Sequence, residues 1–82
     1  MYILIHTTSQ TEANRVKRLL SSGGIYASIQ KTPFFISRTG CGYCVRVPAR
    51  DGERAIAALR ERRVPYKAVY EVSGGEARRI SS

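Results

Sequence analysis

Tryptophan is absent, histidine occurs once, cysteine twice and proline three times. No run approaches the ~20 apolar residues of a membrane-spanning helix. The opening Met1-Tyr2-Ile3-Leu4-Ile5-His6 has no basic leader, and its apolar stretch is shorter than a secretory signal needs. The chain therefore reads as cytoplasmic and without a membrane partner. In that compartment two cysteines are reduced at rest, and are reactive or metal-binding rather than a structural staple. The lone His6 reads as a strand-end surface residue, and any Cys–His catalytic pair would depend on it. No glycine-rich phosphate loop is present, and no carboxylates stand paired for acid–base work. Acidic residues are scarce, 6 against 14 Lys+Arg, for a net charge of +8. Eleven of the fourteen are Arg. Such a field attracts anions: nucleic acid, phosphate or an acidic protein.

What is present reads as one small domain. Residues 2–6 form a short strand. Ser9-Gln10-Thr11-Glu12 matches a capping box, with the Ser9 hydroxyl taking a first-turn N–H and Glu12 reaching back to the Ser9 N–H. Ala13, Val16, Leu19 and Leu20 then recur at helical spacing, and Gly23-Gly24 stops the helix. Ile25 to Gln30 reads as a second strand, and residues 31–40 as a loop holding Phe34-Phe35. Tyr43, Val45 and Val47 alternate with Cys44 and Arg46 in a third strand that Pro48 ends. A helix from Asp51 to Arg62 and a strand from Tyr66 to Val72 follow.

The order is β-α-β-β-α-β, which predicts an α+β, ferredoxin-like four-stranded antiparallel sheet with two helices on one face. Residues 1–72 make the domain, and residues 73–82 are expected to be a flexible tail. The second sheet face is expected to stay open, with Cys44 on it beside Arg46.

The chemistry-bearing segment is Cys41-Gly42-Tyr43-Cys44. The topology sets Cys41 beside Thr8, Ser9 and the first helix's N-terminus. Arg38, Arg60, Arg62 and Arg63 are expected on the same edge. A helix start and guanidinium groups favour a thiolate, the nucleophilic form. Gly40 and Gly42 leave the backbone open to approach. Three readings of the motif stand: a redox pair, if Cys41 lies in the turn; half a zinc site, completed only with a second copy; or idle buried thiols, the reading that suits Cys44. No RNA-recognition aromatic pattern is present, and the third strand has valines where stacking rings would stand, so nucleic acid is the least favoured partner.

An ordered set of residues carries a family resemblance over about residues 1–72. It comprises Tyr2-Ile3-Leu4, Leu19-Leu20 before Gly24-Ile25, Thr32-Pro33, Ile36-Ser37, Cys41-Gly42, Arg46 and Val69-Tyr70. In these the chain resembles the "putative selenium/sulfur carrier protein-like" family of small bacterial domains. The resemblance implies a ferredoxin-like fold and a carrier cysteine at Cys41, bearing a persulfide or selenosulfide. It implies donor and acceptor proteins as partners, no cofactor, and a carrier rather than a turnover enzyme. Cys44 and Phe34-Phe35 depart from the family pattern, and Cys44 would serve as a resolving or spare thiol. The competing readings are an interaction or regulatory module, dimerising through Tyr2, Leu4 and Cys44 on the open sheet face, and a weak nucleic-acid binder.

Overall fold

The computed structural model describes residues 1–37 and 42–81. Strand β1 (Tyr2–Thr7) leads into helix α1 (Gln10–Ser22), and β2 (Ser28–Lys31) and β3 (Tyr43–Pro48) follow. A single 3₁₀ turn at Ala49–Asp51 opens into α2 (Gly52–Arg62), before β4 (Ala68–Ser73) and β5 (Glu76–Ser81). The strands lie in the order β2-β3-β1-β4-β5, and every neighbouring pair is antiparallel. The expected four-stranded sheet is thus corrected to five. Residues 76–81, read from sequence as tail, pair with β4 through a turn built on Gly74 and Gly75, both at positive φ. Short polar sequence with two glycines looks like a tail, but it is equally what a hairpin requires.

Both helices pack on one face. The core there joins Ile3, Ile5, Val45, Val47 and Val69 of the sheet to Ala13, Val16 and Leu20 of α1 and to Ala55 and Leu59 of α2. These are the period-two and helical-period positions that sequence marks as apolar. Gly52, the first residue of α2, packs close to Ile3, where an added Cβ would meet the side chain at 3.0 Å. Strand β2 starts three residues later than expected. Ile25 is spent closing α1, its N–H donating to the Leu20 carbonyl at 2.9 Å, before the chain extends.

The other face, called the outer face below, is not left open throughout. Leu4, Cys44 and Val72 form a second buried cluster, against which Tyr2, Ile36, Tyr70 and Ala77 pack. The segment after β2 folds back to supply Ile36. The Pro33 carbonyl accepts the N–H groups of Ile36 and Ser37, which makes the turn. Cys44 is therefore fully buried rather than displayed beside Arg46. The dimer face expected from Tyr2, Leu4 and Cys44 is corrected in the same way: Leu4 and Cys44 are already covered by the chain itself.

Candidate functional site

The end of β1 is where the chemistry-bearing residues meet. Thr7 pairs with Tyr43 and His6 with Cys44, so the start of β3 stands beside the end of β1 and the approach to α1. The Thr7 hydroxyl is buried and lies 2.9 Å from the Tyr43 carbonyl and 3.2 Å from the Ser9 carbonyl, tying the strand end to the helix entry. On the other side the Lys67 N–H donates to the His6 carbonyl at 2.7 Å, so β4 begins on the same edge.

Gly42 is the closest-fitted residue of this edge. Its φ is +88°, and a Cβ built on it would meet the Thr7 carbonyl oxygen at 2.5 Å, His6 Nε2 at 3.2 Å and Thr32 Oγ1 at 3.5 Å. Only glycine fits both the dihedral and the space. Its carbonyl accepts the Thr32 N–H at 3.4 Å. Gly42 therefore presses on a small buried polar group, His6, Thr32 and Cys44, on the outer-face side of the sheet. The Cys44 thiol donates to Thr32 Oγ1 at 3.8 Å. Burial pushes its pKa above the ordinary value, and the Thr32 contact offsets this only in part. Cys44 is accordingly a sealed thiol that resists becoming a thiolate.

The other sequence candidates divide. Cys41, Gly40 and Arg38 lie outside the described residues. Thr8 and Ser9 stand at the α1 entry, exposed as expected. Ser9 caps the helix, accepting the Glu12 N–H at 3.1 Å. Glu12 reaches back to the Thr8 N–H, at 3.0 Å, instead of to that of Ser9. Its carboxylate thus occupies the electropositive helix start that was expected to favour an anion. Arg60, Arg62 and Arg63 are exposed at the end of α2. Arg62 lines a groove with Arg15, Arg18, Leu19, Ser22 and Val64, along the flank of α1. Arg63 caps α2 in the left-handed conformation, φ 55°. Among the described residues, no three or more His, Cys, Asp or Glu gather as for a metal ion. The zinc alternative rests on Cys41, outside them.

Sequence reasoning missed His6 and Thr32. His6 is 6% exposed, not a surface residue. The signal was available: Tyr2, Leu4 and His6 alternate onto the face that carries Cys44. Thr32 carried no such signal, because its role depends on how the loop after β2 returns.

The chain is thus a two-layer α+β domain with the Cys44 thiol, the His6 imidazole and the Thr32 hydroxyl gathered at one end of its sheet. The chain belongs to the family described as "Putative Se/S carrier protein-like", whose model matches residues 1–71. No curated protein and no solved structure matches it. Strand β5 lies beyond the matched span. Among the described residues, no helix is long and apolar enough to cross a membrane.

Proposed function

We propose that this chain carries sulfur or selenium on Cys41 and hands the atom to a partner protein. The observation that carries the reading is membership of the Se/S carrier-like family over residues 1–71. In the transfer, the Cys41 thiolate attacks the terminal sulfur of a donor persulfide. A new S–S bond forms on Cys41, the donor's S–S bond breaks, and the donor leaves as a thiolate. An acceptor thiolate then repeats the step on the Cys41 persulfide, releasing Cys41 as thiolate, with no net oxidation. Selenium passes in the same way from a donor selenosulfide. The chain is a carrier rather than a turnover enzyme, acting in the reducing cytoplasm, where an unpaired thiol persists.

The surroundings support this assignment. Gly42, which follows Cys41 in sequence, packs against His6 and Thr32, so an imidazole and a hydroxyl stand beside it. In this reading Thr8 and Ser9 supply hydroxyl donors, the glycines Gly40 and Gly42 leave the backbone unshielded, and Arg38, Arg60, Arg62 and Arg63 steer anionic partners. Phe34 and Phe35, 72% and 53% exposed, offer a contact for donor or acceptor a few residues before the thiol. Cys44 is a spare thiol held protonated rather than the resolving partner, given its burial. Residues 1–72 form the functional unit. We infer a ferredoxin-like path for β1 to β4 and the two helices, with β5 an addition.

Intact mass after incubation with a cysteine desulfurase and cysteine, or with a selenium donor, tests the reading. One added sulfur or selenium atom is expected on the wild type and on Cys44→Ala, and none on Cys41→Ser. An adduct that persists in Cys41→Ser, or is absent from the wild type, sinks it.

A further inference from the structure

We infer that the outer face of the sheet binds single-stranded nucleic acid, through a row of tyrosines and arginines independent of Cys41. The turn that supplies Ile36 covers Leu4, Cys44 and Val72 in the middle of this face, and the accessible positions lie on both sides of it. Arg46 on β3 lies over the Tyr2 ring of β1, its guanidinium carbon 3.9 Å from the ring centroid. Tyr26, 75% exposed just before β2, joins these two in lining a 270 Å³ groove. On the other side of β1, Tyr70 on β4 is paired in register with Arg79 on β5. Leu4 aligns with both Arg46 and Tyr70, which places the two halves at one level of the sheet. Arg46 stacked on Tyr2, Tyr70 and Arg79 therefore stand on four neighbouring strands, a span of ~15 Å at the usual strand spacing, with the open ring of Tyr26 beside them next to β2.

Charge selects the occupant. All six acidic residues lie elsewhere. Glu12 caps α1, Asp51 belongs to the 3₁₀ turn, and Glu53 and Glu61 are on α2. Glu71 and Glu76 alternate away from Tyr70, Val72 and Ala77, onto the helix side, where Glu71 holds Arg78 at 2.8 Å. The outer face is thus basic and free of carboxylates, on a chain of net charge +8. Flat rings interleaved with Arg are what an unpaired base requires: a surface to stack on and a cation for the phosphate beside it. A duplex hides its base faces and gains nothing from the rings. The groove of Arg15, Arg18 and Arg62 on the helix side is also basic, but its remaining lining is Leu19, Ser22 and Val64, with no ring to stack on. The valines of β3 do not bar this reading, because the rings come from β1, β4 and the approach to β2.

Fluorescence anisotropy with labelled oligo(U) and oligo(dT) of about twelve nucleotides tests the assignment, beside a duplex of the same length. Binding of the single strands is expected at about 50 mM salt, weakening toward about 200 mM. Tyr26→Ser combined with Arg46→Ser is expected to weaken it by roughly ten-fold or more, since stacking and one phosphate contact are both lost. Tyr26→Phe is expected to bind like the wild type. Arg15→Ser with Arg18→Ser removes more charge, yet from the helix side, and is expected to cost less than the sheet-face pair. All four side chains are exposed, so folding is not at stake. The Cys41→Ser variant is expected to bind unchanged, which separates this activity from atom transfer. An equal or larger loss from the helix-side pair would overturn the proposal, as would duplex binding as tight as single-strand binding or a loss in Cys41→Ser. No binding at low salt would overturn it too, as would a dimer in light scattering that the Tyr26→Ser, Arg46→Ser pair returns to monomer.

Discussion

Gly42 is the residue on which the edge around the candidate site depends. Replacing it with Ala drives a methyl group into the Thr7 carbonyl while holding a non-glycine residue at φ +88°. Gly42→Ala is expected to cost about 2–4 kcal/mol in urea denaturation, at the upper end for a single substitution. Cys44 carries a pH signature. Its folded pKa is raised above the ordinary 9.0, so in strong base the unfolded chain releases a proton that the folded chain keeps. That contribution to stability is whole below pH 9.0 and is lost as the pH climbs through the raised folded value. Cys44→Ala should remove this part of the alkaline decline, read from urea midpoints measured across the range. The candidate site was legible in sequence only in outline. The placement of Cys41 beside Thr8 and Ser9 is an expectation from strand order on a residue outside the described ones; what the structure shows of that edge is Tyr43 paired with Thr7. Burial of Cys44 stood among the sequence readings, and strand alternation put His6 on the same face; their contact with Thr32 was not legible, because it depends on a loop whose return path no local pattern specifies.

Helix boundaries were the most legible elements, since each carries its own chemistry. Ser9 caps α1 as its type and spacing require, and Ser9→Ala is expected to cost about 1 kcal/mol by thermal or urea unfolding. The Glu12 bond moved by one residue, to the Thr8 N–H, because sequence names the partners of a cap and not the rotamer that joins them. At the other helix the sequence offers no glycine to stop the chain, and Arg63 takes the left-handed conformation instead. Arg63→Gly should relieve that cost and raise stability by about 0.5–1 kcal/mol in the same measurement. The strands were less legible than the helices. Ile25 and Ala27 have strand-like character, yet they serve to bury the exit of α1, and the ladder begins only at Ser28. Glu76–Ser81 has no apolar alternation strong enough to announce a strand. Its pairing is imposed by the neighbouring edge of β4.

For the whole molecule, β5 is the part that the family match omits, and it covers the edge of β4. A chain ending at Ser73 is expected to keep its far-ultraviolet circular dichroism but lose roughly 1–3 kcal/mol, through uncovering of Tyr70 and Val72. Light scattering should show it associating through the bared strand, as unprotected edges do. The fold class, the two helices and their shared face were readable because a chain this small has few ways to bury its apolar stripes. The fifth strand and the partial roof over the outer face were not, since both depend on segments that look like loop. That roof has a practical consequence. The sulfur of Cys44 sits beside Leu4, Val72 and Thr32 beneath the returning turn, so that turn must lift before a reagent reaches it. With Cys41 replaced by Ser, the pace of alkylation at this single remaining thiol would count the openings of that turn. The protein thus holds an internal clock for the movement of its own cover, readable by mass.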